Sequence, residues 1–571
     1  MQLRTLSAFR FVSVAAWPWV TSTVLPHAIT ARRTAAVTRN RSLKLWLLLN
    51  TADEIIPWPQ SKAVRIVGQS ELKAMATSWL KTVMTRATAV CGALLLFATG
   101  AAAQKEVVTV EILPESNTVR VEISGGPQKI WSFRDAYAGA IGLGRRVRKF
   151  QALDTPGAKN SVRELAPGHF ELGATASSVS YEVDLSPPSR AANAAFVSWL
   201  TKERGILRLS DLLPLRSVQP GSVARDVQLT LNTPQGWGAF ADEGVTALRA
   251  YRFTDSDSAI IIVGKNLRRS VRNASGDLFK LLVDGAWAFS DEEAMDTLLK
   301  VIRLHSEIGA PPCNQVTLVL STFPPGAIAA NTWSAETRGC NVLVLMGQTP
   351  SRVGALAQLG NALTHEAFHL WIPNGVALSG DYDWFYEGFT MYQAARAAVR
   401  LELVTWPEFL NAIARAYDGS VATTSAQPLS LIDASRQRWT IGVPSVYSKA
   451  MVVAFLYDLN LRFQTGGKRS LDDVYRRIVR DHPRRPAVKQ AEADGNAAAT
   501  TALRSELSSA NFVERFITAP VSIDLKSELA PFGLRVERLV RNHISVSEDV
   551  SKRQRDLLKQ LGYNEPRARK R

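Results

Sequence analysis

The segment ALAQLGNALTHEAFHLW, residues 355–371, is apolar on most sides of a helix yet carries His365, Glu366 and His369 near its end. A helix that is apolar nearly all round has to be covered by other layers, so the chain around it must supply a large core. Ionisable groups inside such a helix need partners, because burying them unpaired is costly. His365 and His369 are four residues apart and share one helix face, so their imidazoles can converge on one ion. Glu366, next to the first histidine, can reach a metal-bound water without being a ligand itself. The competing reading, a surface helix with two solvated histidines, does not fit the apolar surroundings.

A catalytic zinc site takes three protein ligands and keeps a fourth position for water. The stretch WFYEGF, residues 384–389, offers Glu387 as the third. The other reading of Glu387 is a carboxylate stabilised at a helix N-terminus. Its apolar neighbours favour the metal, which removes the cost of a buried unpaired carboxylate. Asp381 and Asp383 are competing carboxylates, and they read as caps ahead of Trp384.

Periodicity divides the rest of the chain. From Gln104 to about Val283, VVTVEIL, TVRVEIS, SYEVDLS and VQLTL are rich in alternating β-branched residues, with Gly, Pro, Asn and Ser between them. After about Glu292 helical spacing takes over. Helices are predicted from Val353 to Trp371, from Trp384 to Leu403, from Ser445 to Phe463 and from Ser470 to Val479. The chain therefore reads as α+β: a β-rich domain over 104–283, a catalytic domain over 284–415, a helical part over 416–540, and a mobile basic tail over 541–571. Cys313 and Cys340 flank the apolar runs VTLVL and VLVLM, and either a disulfide or two buried thiols is compatible with that position.

The formal charge of +17 first suggests a nucleic-acid partner. Residues 1–103 hold 12 basic and 3 acidic side chains and residues 551–571 hold 8 and 2, which leaves +2 for everything between. The basicity lies at the ends, and no nucleic acid is expected. From Met75, Lys81 and Arg86 precede the short apolar run Ala87–Thr99 and the small residues Ala101–Ala103, the pattern of a cleaved signal peptide with Gln104 as the mature start. About 13 apolar-biased residues are too few to span a bilayer, so no membrane anchor is expected after cleavage. The expectation is a periplasmic or secreted protein whose residues 1–74 precede the true start at Met75 or Met84.

HEAFHLW followed by WFYEGFTMY resembles the gluzincin metallopeptidases, and within them the glycyl aminopeptidase family. The likeness continues in VYSKAMVVAFLYDLNLRFQTGGKRSLDDVYRRI, in WSAETRGCNVLVL upstream, in IWSFRDAYAGAIGLGRRVRKFQALD of the β region, and in VERFITAPVSIDLKSELAPFGLRVE. It covers most of residues 104–540. The resemblance implies a thermolysin-like α/β core, Zn²⁺ held by His365, His369 and Glu387, and peptide substrates. It also implies Glu366 as general base, Tyr447 as donor to the oxyanion, and Glu336 as the group that binds a free α-amine. The alternative for Tyr447 is a core tyrosine, and for Glu336 an ion pair with Arg338.

The chain departs from the family's pattern in five places, one of them Ile372 after Trp371, where the family commonly has Asn. The loop between His369 and Glu387 is short, Ser334 and Ala335 replace a glycine and a leucine before Glu336, and Ala450 replaces a glycine after the Tyr-x-Lys motif. The 34 residues after Glu537 are too few for the PDZ module with which the family often ends, so none is expected. The leading expectation is an aminopeptidase. Its rivals are an endopeptidase of the same fold and an inactive relative that binds peptides or partners.

Overall fold

The structure, a computed structural model, describes residues 106–564 apart from 155–160, 216–225, 243–244, 248–249, 327–332, 423–427, 485–490 and 508–510. The upstream extension, the signal segment and Gln104 lie outside the described residues. Among the described residues no helix is long and apolar enough to cross a membrane.

Side-chain alternation builds the first layer. In the strand Glu106–Leu113, Val108, Val110 and Ile112 are buried and Val107 is exposed, the mark of a strand with one face on a core. This strand pairs antiparallel with Thr118–Ser132 and parallel with Val227–Asn232, inside an eight-stranded sheet. Its inner face packs with residues of a four-stranded sheet, among them Leu207, Ile261 and Val263.

A third sheet, of five strands, has the order Arg268–Ala274, Asp277–Val283, Gln315–Thr322, Asn341–Met346, Trp333–Arg338. The three inner strands run parallel, and Trp333–Arg338 is an antiparallel edge. All six residues of Asn341–Met346 are buried, as expected of a strand covered on both faces. The period of two sorts its neighbours: Val342, Val344 and Met346 join the helical core, while Leu343 and Leu345 join Ala195, Trp199, Ile206 and Ile262 of the β-rich region. One sheet thus has helices on one side and the β-rich domain on the other. Cys313 and Cys340, each just ahead of one of two parallel neighbours, form a disulfide.

The fold class is the expected α+β, with a β-rich N-terminal domain, an α/β middle and a helical C-terminal part. Two details differ. The strands Arg268–Ala274 and Asp277–Val283 belong to the five-stranded sheet, although their β character had placed them in the domain before residue 284. The basic end is not a free tail as far as residue 564: Lys552–Gln560 is a helix begun by a Ser551 capping box, and Leu557, Leu558 and Leu561 are buried. Its many charges mask a narrow apolar stripe, which the long-stemmed basic residues flank.

Candidate metal centre

The histidine helix runs from Arg352 to Glu366, capped by Ser351, whose hydroxyl accepts from the Gly354 amide at 3.1 Å. The chain then tightens into a 3-10 turn, Ala367–Leu370, so His369 lies just past the α-helix and not within it. The two imidazoles still meet, with their Nε2 atoms 3.2 Å apart. His369 Nδ1 lies 3.0 Å from the Ile372 carbonyl, which can only accept, so Nδ1 carries the hydrogen and Nε2 keeps its lone pair. Burial pushes His369 down to about 4, and the ring is neutral at pH 7.

Glu387 comes from a π-helical turn, Trp384–Phe389, that leads into the helix Thr390–Arg400. Its Oε2 lies 3.6 Å from His365 Nε2 and 3.7 Å from His369 Nε2. Three ligands at zinc distances on a tetrahedral centre stand about 3.3 Å apart, so the triangle of 3.2, 3.6 and 3.7 Å fits such an ion. Glu366 also has an oxygen within 4.8 Å of both histidines. Glu366 Oε2 accepts from Thr337 Oγ1 at 3.0 Å, while Glu387 Oε2 faces both rings. Burial raises Glu366 to about 7, in the range a proton shuttle needs.

The approach of Glu387 depends on its neighbour. A Cβ built on Gly388 would lie 2.3 Å from the Ala450 Cβ and 2.3 Å from the Val446 carbonyl oxygen. Ala450, larger than the glycine the resemblance led one to expect, is accommodated because Gly388 supplies the space. Gly388→Ala is expected to cost about 1–3 kcal/mol by overpacking, read from urea unfolding midpoints; an unchanged midpoint would disprove this contact.

Tyr447 also sits in a π-helical turn, Ser445–Lys449, and it is brought to the site through Arg438, which the sequence reading did not single out. One Arg438 nitrogen donates to Glu387 Oε1 at 2.9 Å and to the Tyr447 hydroxyl oxygen. The other donates to Tyr386 Oη at 2.9 Å and to Asp383. Arg438 begins a third π-helical turn, Arg438–Gly442. Such wide turns recur at functional sites because they break the helical spacing of side chains. Asp383 is not the cap it was read as: its side chain makes no capping bond and pairs with Arg438 instead. Although burial alone would raise Glu387, Arg438 and the histidines hold its carboxyl well below the usual range.

Glu336 lies elsewhere than the expectation placed it. On the edge strand Thr337 points to the histidine helix, so Glu336, one residue earlier, points to the opposite side. There it meets Arg208 at 2.6 Å, Arg338 at 2.8 Å and the Tyr137 hydroxyl at 2.5 Å. Two guanidinium groups compensate its charge and tie the edge strand to the β-rich domain, the ion-pair arrangement that was the alternative expectation for Glu336.

Beneath the site, His305 Nε2 donates to the Thr364 carbonyl at 3.0 Å, and the ring packs edge-on against Phe368 and Trp371. Burial lowers His305 to about 4. An unfolded histidine near 6.5 takes up its proton first as pH falls, so the stability this residue supplies is complete above pH 6.5 and is lost on the way down to pH 4. Between pH 7 and pH 5 the loss is about 2 kcal/mol. The stability gap between wild type and His305→Gln is expected to narrow by that amount over this interval; a gap that does not change with pH would contradict it.

No known family and no curated protein matches this sequence. Solved structures do resemble it. An aminopeptidase N family protein from Idiomarina loihiensis superposes with a TM-score of 0.63 at 14% identity, covering 76% of this chain and 79% of that one. An M1 zinc metallopeptidase from Deinococcus radiodurans gives a TM-score of 0.46 at 13% identity, covering 74% and 94%. The described chain has the fold of the Idiomarina aminopeptidase N family protein.

Proposed function

We propose that this chain is an exported zinc metallopeptidase, of the glycyl aminopeptidase type within the gluzincins, that cleaves peptide bonds with water. The observation that carries the reading is the triangle formed by His365 Nε2, His369 Nε2 and Glu387 Oε2 beside Glu366. These three residues would hold the ion. Zinc bound there would make a water acidic enough to lose its proton near neutrality and would polarise the scissile carbonyl. Glu366 takes that proton on its carboxylate and passes it to the leaving amine. Tyr447, held by Arg438, turns its hydroxyl toward the oxyanion that forms on the carbonyl.

Removal of an N-terminal residue is the first reading, and it rests on the aminopeptidase name of the Idiomarina structure. Endopeptidase cleavage is the second, favoured by the pairing of Glu336 with Arg208 and Arg338, which leaves that carboxylate no uncompensated charge for an amine. Paired assays on free and N-acetylated peptides decide between them. An aminopeptidase fails on the blocked set, and an endopeptidase cleaves both. Export is supported by the Cys313–Cys340 disulfide, since such bonds persist in oxidising compartments. N-terminal sequencing of the secreted or periplasmic protein tests it: a chain that starts at Gln104 agrees, and one that retains residues 1–74 does not.

A further inference from the structure

Arg438 spans the proposed third ligand and the proposed oxyanion donor with a single nitrogen. Its four acceptors are Glu387 Oε1, Tyr447 Oη, Tyr386 Oη and Asp383 Oδ1. A guanidinium has donors only, so the direction of every one of these bonds is settled by chemistry. The Tyr447 oxygen must accept, which leaves the Tyr447 hydrogen free to point elsewhere. Glu387 Oε1 is likewise occupied, and Oε2 is the oxygen that lies 3.6 and 3.7 Å from the histidine Nε2 atoms. The Tyr386 oxygen accepts from Arg438 while its own hydrogen goes to Asp383 at 2.5 Å, which anchors the far side of the guanidinium. The planar fork meets these acceptors from a half-buried position with a side-chain exposure of 13%, and Trp439 covers it at 4.6 Å.

We propose that Arg438 is the positioning residue of this centre: it restricts Glu387 to one ligating oxygen and orients the Tyr447 hydroxyl as a donor. The inference rests on the metallopeptidase reading and adds to it a coupling between metal coordination and oxyanion stabilisation. An ammonium cannot reproduce the coupling, because a point charge on a flexible stem cannot meet four acceptors in a plane.

The test uses the zinc-loaded full chain, wild type against Arg438→Ala and Arg438→Lys, with two readouts. In steady-state assays on a cleaved peptide, both variants are expected to lose about 100-fold in kcat with KM changed less than about threefold, since the interaction lost acts in the transition state. Guanidinium chloride at millimolar concentration is expected to restore part of the kcat of Arg438→Ala and none of that of Arg438→Lys, whose side chain fills the space. Zinc-edge X-ray absorption is expected to show a larger count of oxygen and nitrogen neighbours in Arg438→Ala than in wild type. Wild-type kcat in either variant, or a zinc shell in Arg438→Ala identical to wild type with no guanidinium rescue, overturns the proposal. If Arg438→Ala does not fold, Arg438→Lys, which keeps the charge, decides through its kcat. If wild-type enzyme cleaves no peptide, the metallopeptidase reading fails, and the absorption comparison still judges Arg438.

Discussion

Glu366→Gln is expected to lower kcat by about 10²–10⁴-fold while the protein keeps its fold and its zinc. The amide matches the carboxylate in size but cannot take a proton, so the substitution removes one chemical step and little else. Glu366 is buried, and Thr337 donates to its side chain and to its backbone carbonyl, contacts that an amide oxygen can still accept. Thermal stability should therefore move little, and metal analysis should return the wild-type stoichiometry because the ligand triangle is untouched. A variant with more than about a tenth of wild-type kcat would remove Glu366 from its role as general base. A variant that has lost its zinc would instead move Glu366 into the ligand set, in agreement with its closeness to both imidazoles.

Chelation is expected to abolish hydrolysis entirely and to destabilise the chain, with both effects reversed by zinc. The ligand atoms of His365, His369 and Glu387 crowd within 3.7 Å of one another in a part of the molecule with little access to water. A ligand that binds only the folded state stabilises it by about 4 kcal/mol at a thousandfold excess over its dissociation constant. The melting temperature should therefore fall on chelation and rise with added zinc in proportion to the logarithm of its concentration. Hydrolysis that survives full removal of divalent ions, checked by metal analysis, would end the metallopeptidase reading. Restoration by cobalt or manganese as well as zinc would keep it and widen the choice of ion.

The side chains whose convergence depends on local spacing could be read from the sequence. His365 and His369 declare themselves by an i, i+4 interval inside an apolar segment, and Glu387 by its position in the next apolar helix. The β-rich region and the later helices follow from their periods of two and 3.6. What escaped depends on contacts across the chain. Arg438 lies in a π-helical turn, where neither period applies, and it is one of 68 basic residues. A buried centre with Glu387, Asp383 and two tyrosines calls for a cation, but nothing in the order of residues says which one arrives. Glu336 was misplaced for a different reason. The resemblance drawn from the sequence implied a carboxylate that meets substrate, but Arg208, from a strand more than a hundred positions earlier, pairs with it. The boundary at residue 268 was hidden because strands look alike whichever sheet they join.

The two-sided sheet has a consequence for how this protein can be divided. Leu282, Val319, Leu343 and Leu345 rest on side chains from the β-rich region, and Glu336 answers to Arg208 and Tyr137 across the same boundary. A gene fragment beginning at Arg268 would bare that apolar face and leave a buried acid without two of its partners. The half that holds the histidine helix is therefore not a portable cassette. Recombination or engineering that moves it to another scaffold has to carry the first half along, or redesign the back of the sheet.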